Sequence, residues 1–206
     1  APYTSRVLGA ANIGMYSYTY SIVSSMIMFG AFGTATYGQK EIAAVGDNIV
    51  KRSQKFWEIW ALKAITMLLC FMFFLPYALN TKQCFYFILQ SPFFIAGIAD
   101  IAFLFQGMEK FKFIAIRNSL VRMAGIVLLF LLVKDSNDLW IYLLIISLSQ
   151  MLGNFSMWLY LKGNVCKVSL TLRGVFSHFK EVLIYFVPSV TYQMYAVLDK
   201  AMLGWL

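Results

Sequence analysis

The most restrictive feature of the sequence is a stretch from Val7 to Gln39 that contains no charged residue. A helix needs about 20 mostly apolar residues to cross a bilayer, so this stretch is long enough for one crossing. The chain is 61% hydrophobic and 13% charged, whereas soluble domains contain about 25% charged residues. A soluble protein of this composition would expose a large apolar surface to water. We therefore expect a membrane protein rather than a soluble domain.

Further apolar segments follow along the chain, and together they predict an all-α bundle of six transmembrane helices. Pro92 lies within the third of these segments, where its ring is expected to kink the helix. The connections near 80–83 and 134–138 are very short, which indicates that the helices they join form tight antiparallel hairpins. The predicted helices are 12–38, 57–79, 84–105, 113–133, 139–161 and 183–206.

Lysine and arginine residues concentrate on one side of this predicted bundle. Cytoplasmic loops of membrane proteins are enriched in basic residues, so the longer loops are predicted to be cytoplasmic. The net charge of +8 reflects this bias, and we expect no nucleic-acid binding. Eleven basic residues lie on the cytoplasmic side, namely Lys40, Lys51, Arg52, Lys55, Lys110, Lys112, Arg117, Lys162, Lys167, Arg173 and Lys180, whereas Arg6, Lys82 and Lys134 lie opposite.

Several sequence blocks resemble Wzx-type polysaccharide flippases of the multidrug/oligosaccharidyl-lipid/polysaccharide exporter superfamily. The blocks follow the order of that family along nearly the whole chain. The resemblance implies a MATE-like transporter, in which two helical lobes enclose the substrate and open alternately to the two sides of the membrane. The main blocks are Pro2–Gly9, Ile13–Tyr18, Phe32–Ala43, Phe105–Ile114 and Leu198–Gly204.

The same resemblance implies how the chain is divided. Residues 1–161 would form most of the first lobe, 162–182 the cytoplasmic connection between the lobes, and 183–206 the first helix of the second lobe. Because the chain begins without Met and ends within an apolar stretch, we expect it to be a fragment of a longer protein.

The resemblance further implies an activity and a location. Wzx-type flippases move undecaprenyl-diphosphate-linked oligosaccharide units from the inner to the outer leaflet of the cytoplasmic membrane. The units serve capsule, exopolysaccharide or O-antigen synthesis. The expected partners are this lipid-linked sugar, the bilayer, the second lobe of the same protein and a polysaccharide polymerase.

Arginines within the predicted fourth helix are candidates for substrate binding, because ionisable side chains in a membrane rarely face lipid. Arg122 is expected near the bilayer midplane, where a guanidinium can bind a diphosphate through paired hydrogen bonds. The alternative is an ion pair with an acid outside this chain. Arg117 is expected at a depth similar to that of Asp100 on the neighbouring helix. This pair predicts either a structural salt bridge or a functional site.

Uncharged polar side chains form two further candidate sites. Gln150 and Asn154 lie four residues apart, so they share one helix face and are predicted either to bind sugar hydroxyls or to join two helices. Ser21 belongs to a series with Ser17 and Ser25 at the same spacing. This series predicts close packing of helices, with a sugar-lined cavity wall as the alternative.

Three more charged residues lie within the predicted helices. Lys63 is predicted to extend its long side chain so that the ammonium group reaches the cytoplasmic interface. Asp199 and Lys200 are candidates for gating contacts with the other lobe, or for packing against a helix outside the chain. Adjacent helical residues point about 100° apart, so these two cannot share one partner.

The sequence predicts neither a cofactor nor a metal centre. His178 is the only histidine, the three cysteines are predicted to be free thiols, and no G-x-x-x-x-G-K-[ST] phosphate loop occurs. The predicted outer loops are too short to present a catalytic acid or base and His178 lies in a predicted cytoplasmic linker, so we expect a transporter and not an enzyme. The alternatives are a membrane enzyme of surface-polysaccharide synthesis, such as a polymerase or an acyltransferase, or a drug exporter of the same superfamily.

Overall fold

The computed structural model describes residues 2–188, 190 and 191, and all regular secondary structure among them is helical. Short 3₁₀ helices at Ser136–Asp138 and Met157–Leu161 lie at either end of α8, and residues 179–188, 190 and 191 are also helical. The α-helices are α1 (Pro2–Ala31), α2 (Thr34–Val45), α3 (Ile49–Leu79), α4 (Cys84–Gln90), α5 (Pro92–Ala99), α6 (Ala102–Gly107), α7 (Phe111–Leu132), α8 (Leu139–Ser156) and α9 (Leu172–Ser177).

Four helical segments are long and apolar enough to cross a membrane, namely Ile49–Leu79, Cys84–Gly107, Phe111–Leu132 and Ser136–Leu161. They confirm the predicted all-α membrane bundle. Helix α1 spans 30 residues but is kinked at Gly9, where φ is 77° and ψ is 166°, and it is not one of these four apolar segments. The predicted sixth helix, 183–206, continues beyond the described residues.

The prediction of one continuous helix over 12–38 is wrong, because the chain breaks between α1 and α2. Phe32 and Gly33 adopt positive φ angles of 49° and 73°. A Cβ atom at Gly33 would come within 2.7 Å of the backbone nitrogen of Phe186, so only glycine fits there. Helix α2 then begins at Thr34, and part of the predicted cytoplasmic loop is therefore helical.

The predicted third helix, 84–105, is interrupted twice. Pro92 begins α5 directly after Ser91, at a position where the missing N–H removes no helical hydrogen bond. The chain therefore changes helix at the predicted proline kink. The second interruption, at Asp100, has an extended ψ angle of 110° and was not predicted.

The interruption at Asp100 leaves backbone carbonyls without helical partners, and side chains from other helices bind them. The indole nitrogen of Trp60 donates to the carbonyl of Ile98 at 3.0 Å. The indole of Trp158 donates to the carbonyl of Ala99 at 2.8 Å. An unpaired backbone group within a bilayer costs several kcal/mol, so these donors are what permit the interruption.

Packing places α7 outside the rest of the bundle. Helix α1 packs along α3, and α5 packs along α8, so the apolar faces of these helices fill the interior. Helix α7 contacts α8 and α6, and none of its residues is buried. Its apolar side chains therefore form an outward surface that is typical of contact with lipid. The large buried side chains elsewhere include Phe56, Phe74, Phe87, Phe94 and Phe103.

The predicted cytoplasmic loops meet at one end of the bundle, which we call the basic end. Arg52 donates to the carbonyl of Asn164 through two nitrogens, at 3.2 and 3.1 Å, and to the carbonyl of Gly46 at 3.3 Å. Lys110 Nζ donates to Oδ1 of Asn164 at 2.7 Å. Segments far apart in sequence are therefore joined at Asn164, as the alternation of loops between two sides requires.

Candidate functional site

One side of α1 carries a row of hydroxyl groups that faces away from the bundle. Ser17 and Ser21 are exposed and Ser24 and Ser25 are half-buried, and we call these four residues the serine face. Val23, on the opposite side of α1, is fully buried. Ser21 Oγ donates to the carbonyl of Ser17 at 2.7 Å, and Ser25 Oγ donates to that of Ser21 at 2.8 Å. The hydroxyl protons are thus used within the helix, and the oxygen of Ser21 is presented outward.

Arg122 lies halfway along α7 with its side chain exposed. It follows the start of this 22-residue helix by a rise of about 17 Å. Within residues 2–188, 190 and 191, its guanidinium has no hydrogen bond or ion pair. Met123 and Ile126 beside it are also exposed, so the charge emerges from an apolar surface.

Gln150 on α8 is exposed and lies on the same side of the α7–α8 pair as Arg122. The two helices are antiparallel, with Val121 of α7 facing Gly153 of α8 and Ser149 of α8 facing Gly125 of α7. Arg122 comes directly after Val121, and Gln150 comes directly after Ser149. Each of these two side chains therefore points about 100° around its helix axis from the residue that faces the neighbouring helix. In an antiparallel pair of right-handed helices, these two rotations turn toward the same side. The contacts that define the pairing are Val121 with Gly153 and Ser149 with Gly125.

The serine face lies at about the same level of the bundle as Gln150. Asn12 of α1 donates to the carbonyl of Ser136 at 2.7 Å, and Tyr16 meets the ring of Tyr142 with centroids 5.1 Å apart. These contacts show that α1 and α8 run in parallel from one end of the bundle. Eight residues further along both helices, Ser24 on α1 therefore reaches the level of Gln150.

Arg117 and Asn154, both predicted as substrate ligands, bind each other. Arg117 donates to the amide oxygens of Asn154 and Asn118. The amide nitrogen of Asn154 donates to the carbonyl of Ala96 at 2.7 Å. Asn154 is buried, whereas Gln150 one turn earlier is exposed. These bonds join α7, α8 and α5. Of the two roles considered for Asn154, sugar binding and the joining of helices, these bonds correspond to the second.

Asp100 pairs with Lys63, and the predicted salt bridge between Asp100 and Arg117 is therefore wrong. Lys63 Nζ lies 3.8 Å from Asp100 Oδ2 and donates to the carbonyl oxygen of Asp100 at 2.8 Å. Lys63 is only 2% exposed, so the prediction that it reaches the interface is also wrong. The reason is the interruption of the helix at Asp100, which frees a carbonyl beside the carboxylate and gives a buried ammonium two acceptors.

A buried polar cluster near the basic end was not predicted from the sequence. His178 Nδ1 lies 2.6 Å from the hydroxyl oxygen of Tyr37, and His178 Nε2 lies 3.0 Å from Glu58 Oε2. Tyr37 donates to Glu181 Oε2 at 2.8 Å. We call these four residues the histidine cluster. Burial and the hydrogen bond to Glu181 raise the pKa of Tyr37 far above its ordinary value, so the hydroxyl stays protonated.

The members of the histidine cluster are widely separated in sequence, which is why no local pattern predicts them. His178 is 120 residues from Glu58 and 141 residues from Tyr37. Tyr37, Glu58 and His178 are each at most 6% exposed. Residue type was the one signal in the sequence that pointed to the cluster. His178 and Glu58 lie in a very apolar chain, and such side chains need polar partners when they are buried.

The remaining predicted site residues, Asp199 and Lys200, lie outside the described residues, and their gating role stays a prediction. In the described part of the chain, no group of three or more His, Cys, Asp or Glu side chains is placed to bind a metal ion. Cys70, Cys84 and Cys166 are free thiols.

Comparison with known proteins assigns a family to this arrangement. A family model described as "Polysaccharide biosynthesis protein" matches residues 1–206. The chain belongs to this family. Two curated relatives described as candidate O-antigen transporters are similar to it. The relative from Escherichia coli (strain K12) is 25% identical over 211 residues, which cover 100% of this chain and 51% of the relative. The relative from Shigella dysenteriae is 26% identical over 120 residues, which cover 57% of this chain and 30% of the relative.

These matches confirm the resemblance drawn from the sequence blocks. The chain spans about half the length of the Escherichia coli relative. No solved structure matches the chain. The apolar helices and the family together identify a multi-pass membrane protein of polysaccharide biosynthesis.

Proposed function

We propose that this polysaccharide biosynthesis protein is part of a flippase for lipid-linked oligosaccharides. The observation that carries the proposal is the set of exposed polar side chains, namely the serine face, Arg122 and Gln150, on otherwise apolar helices. A charged side chain at the centre of a bilayer costs about 2.5–3.5 kcal/mol or more unless it faces water or a partner. A water-filled space beside this surface would remove that cost and would admit a hydrophilic sugar.

In this proposal, residues 1–161 form most of the first lobe and 183–206 begin the second. Residues 162–182 connect the two lobes at the cytoplasmic side. The water-filled space lies between the lobes, which open alternately to the two sides of the cytoplasmic membrane. Asp199 and Lys200 belong to the second lobe and contribute contacts that close the space.

The proposed substrate is undecaprenyl diphosphate that carries an oligosaccharide, and it moves from the inner to the outer leaflet without chemical change. Arg122 binds the diphosphate, since a guanidinium offers two parallel donors to phosphate oxygens. Gln150 and Ser21 bind sugar hydroxyls. Arg117 and Asn154 hold α7 against α8 and so position Arg122. A polysaccharide polymerase then receives the flipped unit, and no cofactor takes part.

The test is a flipping assay with the full-length protein in lipid vesicles and a fluorescent lipid-linked oligosaccharide. Arg122→Lys keeps the charge but loses the planar pair of donors, so we expect the flipping rate to fall about tenfold or more. The matched control is Met123→Leu, at the next residue of the same exposed surface, which should flip at the unsubstituted rate.

Three results would contradict parts of this proposal. An unchanged flipping rate in Arg122→Lys would contradict the proposed contact between Arg122 and the diphosphate. Chemical alteration of the sugar in place of translocation would favour a polymerase or an acyltransferase. Export of apolar drugs without movement of the lipid-linked sugar would favour a drug exporter.

A further inference from the structure

We infer that the histidine cluster is a proton-binding site, in which His178 carries a proton on each ring nitrogen and releases one of them through Tyr37 to Glu181. The inference concerns the described bundle alone and does not depend on which substrate is transported. It starts from the directions of the hydrogen bonds.

The number of protons in the cluster follows from its donors and acceptors. Tyr37 has one hydroxyl proton and donates it to Glu181 at 2.8 Å. Its oxygen, 2.6 Å from His178 Nδ1, can then only accept, so Nδ1 carries a proton. Glu58 accepts from Gln54 at Oε1 (3.2 Å) and lies 3.0 Å from His178 Nε2 at Oε2. An ionised carboxylate only accepts, so Nε2 carries a proton as well and the imidazole is positively charged.

The hydrogen bonds link His178 to two carboxylates. Glu58 from α3 lies 3.0 Å from Nε2, and Glu181 from the following helical residues is reached through the hydroxyl of Tyr37. An imidazolium has one N–H donor for each of these two links. The other titratable groups near the cluster are Lys40 and Glu41 from α2, Lys51 and Lys55 from α3, and Tyr185 from the helical residues after His178.

Two of the three nearby lysines, Lys55 and Lys40, have partners outside the cluster. Lys55 forms a salt bridge with Glu41 at 3.0 Å. Lys40 lies over the ring of Tyr185, with Nζ 5.7 Å from the ring centroid. The imidazolium therefore remains the cation that contacts Glu58 directly.

Water has access to the cluster on both sides of the imidazole. A cavity of about 360 Å³ opens beside the pair formed by Glu58 and His178, and its lining includes Lys51, Lys55 and Ser177. On the other side, Glu181 is exposed at the surface. A buried histidine with a hydrogen-bonded path to solvent can gain and lose a proton without unfolding of the bundle.

The release step is balanced in protons and hydrogen bonds. The Nδ1 proton of His178 moves to the oxygen of Tyr37 while the hydroxyl proton of Tyr37 moves to Glu181, which then gives its proton to water. Tyr37 afterwards donates to the neutral Nδ1, and Nε2 still donates to Glu58. The net change is one proton lost, and Glu181 no longer has its hydrogen bond from Tyr37.

This step couples proton binding to the attachment of the helical residues after His178. In the protonated form, Glu181 is held by Tyr37 of α2. In the neutral form, that bond is lost while His178 stays bound to α3 through Glu58. The cluster therefore changes how the helical residues after His178 are held to α2 and leaves the contact of His178 with α3 in place.

The test is nitrogen NMR of the full-length protein with ¹⁵N-labelled histidine, in which His178 is assigned by the signals that His178→Gln removes. At low pH we expect both ring nitrogens to be protonated. As the pH rises, Nδ1 should lose its proton first, and Nε2 should keep its proton. A neutral ring at every pH from about 5 to 9, or a neutral form with the proton on Nδ1, would overturn the inference.

Two variants test the role of the carboxylates with the same measurement. Glu181→Ala removes an exposed side chain and frees Tyr37 to donate to Nδ1, so the transition should move to lower pH by about one unit. Glu58→Gln should move it in the same direction, and if that variant does not fold, Glu181→Ala decides alone. The control is Glu109→Ala, an exposed glutamate outside the cluster, which should leave the transition unchanged. An unchanged transition in Glu181→Ala contradicts the inference.

Discussion

The exposed surfaces of α1 and α3 differ in chemistry, although the two helices pack against each other. The second half of α3 presents an apolar surface, whereas α1 presents the serine face. In a bilayer, an exposed apolar surface is satisfied by lipid, but an exposed row of hydroxyls indicates water or a further protein surface. The exposed residues of α3 include Leu68, Leu69, Met72 and Phe73, each at least half exposed.

The comparison extends to α7 and α8, where polar residues divide into two groups. Arg117 and Asn154 are bound to each other and join helices. Arg122 and Gln150 are exposed, and the guanidinium of Arg122 has no partner among the described residues. Residue type alone therefore does not separate a structural polar group from a candidate ligand, whereas the presence of an internal partner does.

The largest expected effect comes from placing a charge on each of the two contrasted surfaces. Leu69→Arg places a guanidinium in contact with lipid near the middle of α3, at a cost of about 3 kcal/mol. We expect the yield of folded, membrane-inserted protein to fall about 100-fold, as measured by size-exclusion chromatography of the extracted full-length protein. Ser21→Arg on the serine face should lower the yield far less. Equal losses in the two variants would mean that lipid covers both surfaces.

A second comparison uses two amides on α8. Asn154→Leu leaves Arg117 without one of its two amide acceptors and the carbonyl of Ala96 without its side-chain donor, so the free energy of unfolding should fall by about 1–3 kcal/mol. Gln150→Leu changes an exposed side chain and should alter it by less than about 0.5 kcal/mol. Denaturation in mixed micelles measures both values. A loss of stability in Gln150→Leu as large as that in Asn154→Leu would contradict the division of polar residues.

The smallest expected effect is a difference in labelling rate. In a full-length variant without native cysteines, Ser21→Cys should react with a water-soluble maleimide about tenfold faster than Phe73→Cys, because a thiol reacts as the thiolate, which lipid disfavours. Both positions are exposed in the described bundle. Similar rates at the two positions would show that they share one environment.

The sequence predicted the bundle but not the contacts that join its helices. Apolar length and the alternation of basic loops depend on local composition, so fold class and loop grouping could be predicted. Arg117 and Asp100 were expected at similar depths, yet Asp100 pairs with Lys63, because that pairing depends on an interruption of the helix that no proline or glycine marks. The break at Gly33 depends on contact with Phe186, which is more than 150 residues away in sequence.

The candidate site was predicted only in part, because local sequence patterns predict positions on a helix but not contacts between helices. The spacing of Ser17, Ser21 and Ser25 correctly placed them on one side of a helix, but spacing does not reveal whether that side packs. Arg122 was predicted within the fourth helix, and it lies halfway along α7. The histidine cluster needs three segments to meet, and only the assembled bundle brings Tyr37, Glu58 and His178 together.

The interruption at Asp100 has a consequence for movement of the whole bundle. The carbonyls of residues 96, 98, 99 and 100 are bound by Asn154, Trp60, Trp158 and Lys63, whose donors come from α3 and from the region of α8. A bend secured by so many donors resists flexing, and loss of any single one leaves the others in place. The angle between α5 and α6 at Asp100 should therefore stay constant. Helices α3, α5 and α8 should tilt together as one rigid body.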